Sequence, residues 1–358
     1  MEPAALAAHA GRGGKQEVFG THECYICHKL ELTRLTRVPV PALFLSSGDL
    51  IADRRYEWAR EAAAAGDFAA AADVLAQAVE LAPSFAAAWF LLGEMHERLA
   101  DRDGAVTAFR AALAADPGDR HGAALHLARL GAMEPQEMPQ AYVRSLFDDY
   151  APRFESSLVE KLDYRAPALL RDAVLSVCKD TGRPARFGSM LDLGCGTGLA
   201  GEAFRAHVDW LEGVDLSPAM IAQARRKVIY DRLQVADLTE HLRDAADASA
   251  RHHLIVAADV FVYCRDLAPL FASSVRVLAP DGLFAFTVET HDGEGALLGE
   301  RLRYAHSEVY VRDALARAGL TPLRLDRVST RNEGHLSVPG LLAVAAPALN
   351  ATPSQANT

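Results

Sequence analysis

Residues 191–198 read Leu191-Asp192-Leu193-Gly194-Cys195-Gly196-Thr197-Gly198. An apolar segment ends in a carboxylate, then passes through three alternating glycines into a helical pattern. A strand–turn–helix of this kind places a pocket for a nucleoside cofactor at the carboxyl end of a parallel strand. Gly194, Gly196 and Gly198 permit backbone conformations and close approaches that a side chain would block. Asp192 is the odd element. A carboxylate in a buried first strand costs roughly several kcal/mol unless a polar or cationic partner meets it. A cationic ligand would supply that partner.

The glycines alone are ambiguous, because Gly196-Thr-Gly198-Leu-Ala-Gly201 also satisfies the G-x-G-x-x-G dinucleotide fingerprint. In that fingerprint the first glycine follows the apolar strand directly, whereas Asp192 and Gly194 intervene here. D-x-G-x-G-x-G instead resembles motif I of class I S-adenosylmethionine-dependent methyltransferases. The resemblance implies that Asp192 helps hold the methionine end of the cofactor, with Gly194, Cys195, Gly196 and Gly198 passing beneath it. Cys195 is expected as a small tolerated side chain, with a reactive thiol as the alternative. A tight turn with no ligand is the bland alternative for the whole segment.

The downstream motifs extend the resemblance. Leu211-Glu-Gly-Val-Asp215-Leu216-Ser217-Pro218 has the form of a second strand ending in a carboxylate. Asp215 lies about 20 residues past the turn, where an acidic residue receives ribose hydroxyls. Ser217 and Pro218 predict a helix start. Met220, one turn in, is read equally as an adenine contact or as helix–sheet packing. Leu233-Gln-Val-Ala-Asp237-Leu238 resembles the motif in which an aspartate accepts from the adenine amino group and the next amide meets the ring. Leu254–Tyr263, with Asp259 at its centre, resembles the fourth strand and the motif that follows it. His252 and His253 are read as surface variation, because adjacent strand residues point to opposite faces; no metal ligand set is expected. Gly282 introduces a fifth strand, Glu308–Ala318 has helical spacing, and Leu320–Arg327 and Leu336–Ala345 predict a closing antiparallel pair. The implied fold is α/β: a Rossmann-like, mostly parallel seven-stranded sheet over residues 181–348.

A short all-α domain is expected before it, over 51–132. A repeat with a period of about 34 residues matches the tetratricopeptide pattern. The clearer copy carries Trp89, Leu92, Gly93, His96, Ala105, Phe109, Ala112 and Pro117. The preceding copy keeps Ala71, Leu75, Ala78 and Pro83, with Trp58 at its leucine position. His121–Leu130 predicts a capping helix. So short an array is expected to lean on the following domain or on another chain, and its surface is read as a site for a protein partner or self-association.

Residues 133–180 form a helical lead-in or lid that resembles the corresponding segment of quinone-type small-molecule methyltransferases. Phe147, Tyr150 and Phe154 recur at helical spacing, which favours packing, and Pro152 marks a break between helices. Together with the repeats, this stretch resembles a group of bacterial tetratricopeptide-repeat-containing class I methyltransferases.

Residues 1–50 form a poorly defined extension, and 349–358 a tail expected to be disordered. Cys24-Tyr-Ile-Cys27-His28 has the form of a c-type haem attachment. Zinc would want a fourth ligand, with His22 the only near candidate. Accident is the preferred explanation, and translation beginning further on is a further expectation.

The chain has 358 residues, net charge −10 and five scattered cysteines. That composition fits a two-domain cytoplasmic enzyme without a disulfide framework, without a membrane span and without a dominant basic surface for nucleic acid. The post-strand segment Asp259-Val-Phe-Val also departs from the Asn-Pro-Pro-Tyr type of motif found in base-methylating enzymes. Methyl transfer from a sulfonium relies on alignment and desolvation, with a base needed only for a protonated nucleophile. His306 and Tyr263 are the candidate bases. The favoured acceptor is a small molecule or carrier-borne metabolite. The alternatives are a protein substrate docked by the repeats and a non-catalytic cofactor-binding scaffold.

Overall fold

The computed structural model describes residues 46–155, 163–333 and 336–348. The Cys24–Cys27–His28 motif and the 349–358 tail lie outside the described residues.

Five helices open the described chain: α1 (Leu50–Ala64), α2 (Phe68–Leu81), α3 (Ala86–Arg98), α4 (Arg102–Ala115) and α5 (Ala123–Arg129). Aspartates cap three of them, Asp49 on Ile51 and Ala52, Asp67 on Ala70, and Asp101 on Gly104. Small residues let the paired helices close up. Ala59, Ala71, Ala78 and Ala105 are fully buried. A Cβ on Gly93 would stand 2.6 Å from the Phe109 ring, so this contact admits only glycine unless the ring moves. The architecture is two helical hairpins and a capping helix, as the repeat pattern predicts. Trp58 differs from the pattern: it is 54% exposed and lies beneath the Arg54 guanidinium rather than in the core.

The lead-in contains α6 (Gln140–Tyr150), a 3-10 turn over Ala151–Arg153 at Pro152, and α7 (Ala166–Thr181). It is tied to both neighbours. Leu125 of the repeats, Met138 and Tyr142 of the lead-in, and Leu302 and Tyr304 of the following domain form one apolar cluster. The Glu137 carboxylate accepts from the amides of Arg265 and Asp266 at 2.9 and 2.8 Å. Arg129 reaches Glu300 at 3.3 Å.

The main sheet contains β1 (Phe187–Leu193), β2 (Val208–Asp215), β3 (Arg232–Val235), β4 (His252–Ala257), β5 (Leu278–Glu289), β6 (Ala296–Leu298), β7 (Tyr304–His306), β8 (Leu320–Val328) and, beyond the short hairpin β9 (Asn332–Glu333) and β10 (Leu336–Ser337), β11 (Gly340–Pro347). Its order is β3-β2-β1-β4-β5-β11-β8. The first five strands are parallel, and β11 runs antiparallel to both β5 and β8. The expected seven-stranded path is present, and β6 and β7 add a small extension beside β5. The last predicted strand begins later than the pattern implies, because Leu336 and Ser337 pair with Asn332 and Glu333 instead. Helices α8 (Leu199–Phe204), α9 (Pro218–Arg226), α10 (Leu238–Asp247), α11 (Ala268–Val277) and α12 (Glu308–Arg317) complete the domain. Apolar cores form on both faces of the sheet, which explains the continuous apolar runs of β1 and β4. No helix among the described residues is long and apolar enough to cross a membrane.

Candidate cofactor and active site

The glycine turn leaves β1 with φ of +65°, +52° and +95° at Gly194, Gly196 and Gly198, all in the left-handed region that favours glycine. Gly194 also has Val260 packed against it, and a Cβ there would come within 2.6 Å of that side chain. The turn is fastened to the end of β2. Cys195 N donates to Val214 O at 2.9 Å, and Gly196 N donates to Asp215 Oδ2 at 2.9 Å. Asp215 Oδ1 accepts from Ser217 N at 2.8 Å. Burial pushes the Asp215 carboxyl up to about 6, with the Asp148 charge adding to the rise. Ser217 caps α9 as its position predicts, its hydroxyl accepting from Met220 N at 3.0 Å.

A narrow cleft lies against this turn, lined by Gly194, Cys195, Gly196, Phe154, Tyr164 and Ala258 among others. The Phe154 ring stands within 4.0 Å of where a Cβ on Gly196 would be, which accounts for the narrowness. Phe154 packs on Tyr150, and Phe147 on Tyr263, with ring centroids 5.4 and 5.2 Å apart. Phe154 and Tyr164 therefore wall the cleft, while Tyr150, Phe147 and Tyr263 continue the aromatic packing away from it.

Asp192 departs from its expectation. It is 1% exposed and does not line the cleft. Its Oδ2 accepts from the Tyr230 hydroxyl at 2.6 Å, so a phenol meets the carboxylate where a cationic ligand was expected. Its Oδ1 is buried without a hydrogen-bond partner. Burial drives its carboxyl up to about 7; the Tyr230 bond opposes the rise and the Asp215 charge adds to it. The Tyr230 ring lies in a slot made by Gly198, Gly201 and Gly213, where added Cβ atoms would come within 3.0, 2.4 and 2.7 Å of it.

Asp237 caps α10, its Oδ1 accepting from Thr239 and Glu240 amides at 2.9 and 3.1 Å. Leu216 and Leu238 are half-buried at the ends of β2 and β3. Met220, in the first turn of α9, is fully buried. Cys195 is buried and its thiol is pushed far above the usual range, which leaves an inert side chain. Asp259 turns away from the cradle: its carboxylate binds Thr287, Thr330 and Arg331.

The candidate bases separate. His306 is fully buried, its Nε2 lies 3.2 Å from Arg265 O, and its ring stacks on Tyr310. Burial lowers it to about 4, so it is a neutral core residue and not a solvent-facing base. Tyr263 stands beside Phe147. His252 is likewise buried, and burial lowers it to about 4, which corrects its reading as a surface residue; His253 is the exposed member of the pair. No group of three or more metal-ligating side chains stands together among the described residues.

Three contributors carry no motif of their own. Asp148 Oδ1 accepts from Ser217 Oγ at 2.5 Å and Ala219 N at 3.2 Å, which places a lead-in carboxylate on the start of α9. Lys227 pairs with Glu155 and Glu202 at 2.6 and 2.7 Å, beside the turn. Tyr230 shows only as an isolated tyrosine in a polar stretch.

Residues 190–282 match a family model described as a methyltransferase domain, and residues 56–120 one described as a tetratricopeptide repeat. The chain carries a methyltransferase domain behind tetratricopeptide repeats. It is similar to methyltransferase-like protein 27 of Homo sapiens, 30% identical over 177 residues, 49% of this chain and 66% of that protein. It is also similar to the malonyl-[acyl-carrier protein] O-methyltransferase of Enterobacter lignolyticus, 32% identical over 107 residues, 30% of this chain and 41% of that protein. The chain thus spans under two thirds of the length of these curated relatives. Among solved structures, magnesium protoporphyrin IX methyltransferase from Synechocystis PCC 6803 with bound SAH matches at 17% identity and a TM-score of 0.44, over 58% of this chain and 99% of that one. The sheet order of the methyltransferase domain, with its antiparallel β11 inserted between β5 and β8, is the class I arrangement expected from the motifs.

Proposed function

We propose that the chain is an S-adenosylmethionine-dependent methyltransferase acting on a small molecule or carrier-borne metabolite, with the repeats contributing protein contacts. The observation that carries this is the Asp215 carboxylate. It holds the Gly196 amide from the end of the neighbouring strand, and Gly196 with Gly194, both left-handed, lines the cleft.

The residues present fit the cofactor. The turn leaves backbone exposed where a Cβ would obstruct it, and Asp215 stands where vicinal hydroxyls need an acceptor. Asp237, with both capping bonds on Oδ1, stands at the end of β3 where an adenine amino group would lie. The cofactor would supply an activated methyl group. The protein's part is alignment and exclusion of water: Phe154 and Tyr164 line the cleft with aromatic side chains suited to a sulfonium cation. Tyr263 is the remaining candidate to take a proton from the acceptor. Asp192 acts beneath the turn, through Tyr230, rather than on the ligand.

Calorimetry with S-adenosylmethionine tests the reading, with Asp215→Ala as control. Binding by the intact protein and its loss in the variant are expected; no binding by the intact protein overturns the proposal. A labelled-methyl assay on cell extract, divided into protein and small-molecule fractions, then assigns the acceptor class. Label in the protein fraction favours a protein substrate docked by the repeats.

A further inference from the structure

Asp192 is engaged by Tyr230 and does not line the cleft, so the amino-acid end of the cofactor needs other partners. The sheet order says where that end lies. Asp237 follows β3, Asp215 ends β2 and the glycine turn follows β1, and the strands stand in the order β3-β2-β1. A nucleoside with its base at Asp237 and its ribose at Asp215 therefore directs its 5′ substituent over the glycine turn. That substituent ends in an α-ammonium and an α-carboxylate.

An acid and a base stand together at this end of the cleft. Thr197 is 2% exposed and lines the cleft, and its hydroxyl faces the Glu155 carboxylate. Glu155 directly follows Phe154, which also lines the cleft, and pairs with Lys227 Nζ at 2.6 Å. The Lys227 stem reaches the turn: its Cδ lies 3.6 Å from where a Cβ on Gly198 would be. Lys227 Nζ also meets Glu202 of α8 at 2.7 Å. Burial raises the Glu155 carboxyl, but the Lys227 bond and then the Thr197 hydroxyl outweigh it and hold the group below its usual value. Glu155 is thus a carboxylate at neutral pH.

Stability alone does not call for this arrangement. The Glu155 and Glu202 side chains are 41% and 48% exposed, and ion pairs so open to water contribute little to the fold. Lys227 differs, at 16% exposed, because its stem is covered and its ammonium is held between acids from two separate elements.

We infer that Glu155 and Lys227 clamp the amino-acid end of S-adenosylmethionine, Lys227 receiving its α-carboxylate and Glu155 its α-ammonium. An ion pair at the rim of a cleft is the complement of a zwitterion: the ligand exchanges one pair of opposite charges for two, each with charge-assisted hydrogen bonds. Glu202 keeps the Lys227 ammonium in place while Glu155 turns from Lys227 to the ligand. Because Glu155 belongs to the lead-in and Lys227 follows α9, the bound cofactor would fasten the lead-in to the sheet domain.

The inference rests on the proposed cofactor, and one calorimetric series separates the two. Wild type, Lys227→Met and Glu155→Gln are each titrated with S-adenosylhomocysteine, with its analogue lacking the α-carboxylate and with its analogue lacking the α-amine. Lys227→Met is expected to weaken S-adenosylhomocysteine by roughly tenfold or more, and the carboxylate-free analogue by less than about twofold. Glu155→Gln is expected to weaken S-adenosylhomocysteine by roughly tenfold or more, and the amine-free analogue by less than about twofold. A variant that merely disturbs the fold weakens all three ligands alike. That result, or unchanged S-adenosylhomocysteine affinity in either variant, overturns the clamp and leaves cofactor binding standing. Absence of S-adenosylhomocysteine binding by the wild type overturns the methyltransferase reading itself.

Discussion

The Tyr230 hydroxyl donates to Asp192 Oδ2 at 2.6 Å, with its ring laid across Gly198, Gly201 and Gly213. Gly198 ends the turn, Gly201 lies in α8 and Gly213 in β2, so a single phenol braces the underside of the cradle. Tyr230→Phe keeps the ring and removes the donor. Leaving the buried carboxylate without it is expected to cost about 1–3 kcal/mol. The deficit in urea unfolding should be larger at pH 8, where Asp192 is ionised, than at pH 5.5, where it is mostly protonated. Equal deficits at both pH values would rule out the hydrogen bond as the cause.

Asp192 and Asp215 titrate near 7 and 6 in the folded protein, against a reference value of 3.8. Both folded values are raised, so the native state holds protons that the unfolded chain has already released. Their contribution to stability is therefore fully present below about pH 4 and declines as pH rises toward 7. Carboxylates whose values are lowered, such as Asp116 and Asp231, pull the other way. The difference between wild type and Asp192→Asn isolates the effect. Urea midpoints of the variant should gain on wild type between about pH 4 and 7 and level off above that, and a constant gap would contradict the assignment.

His306, held near 4 by burial, stays neutral throughout the physiological range. His306→Asn should leave the shape of the pH–rate profile between pH 6 and 8 unchanged. Stability should fall by about 0.5–3 kcal/mol, because the stack on Tyr310 and the contact with Arg265 O are lost. Disappearance of a titrating limb near neutrality would restore His306 as a base.

Asp148 reaches from the lead-in to cap the helix that begins after Asp215. Asp148→Ala is expected to cost about 0.5–2 kcal/mol, the range for removal of a helix cap. It should also lower the Asp215 carboxyl, since the Asp148 charge helps to raise it. The pH midpoint for S-adenosylmethionine binding then moves to more acid values, and an unmoved midpoint would refute the coupling.

The strands and the glycine turn were legible because their determinants are local. A left-handed glycine, a Ser-Pro helix start and a continuous apolar run each act within a few residues. The repeat helices were legible through Gly93 and Ala105, whose smallness has a purpose only between packed helices. Contacts that join distant segments were not. Asp192 invited a cationic partner, and its actual partner, Tyr230, carries no motif. His306 and His252 titrate in the useful range as free side chains, and only burial removes them from it. Asp259 sits in a recognisable post-strand position, yet its partners Thr287, Thr330 and Arg331 come from elements that assemble only when β5 and β11 pair.

Glu137, Tyr304 and Asp148 also bear on how the chain can be divided. Glu137 holds the amides before α11, the Tyr304 hydroxyl donates to the Gln136 carbonyl, and Asp148 holds the start of α9. A chimera that exchanged the repeats at residue 180, at the apparent border of the sheet, would discard these anchors along with the aromatic wall. The sound joint for transplanting the catalytic half onto another adaptor lies ahead of Gln136, and even there Leu125 and Arg129 would need counterparts in the new repeat. The chain is thus less modular than its two family matches imply, and an engineer would have to move the lead-in as part of the enzyme.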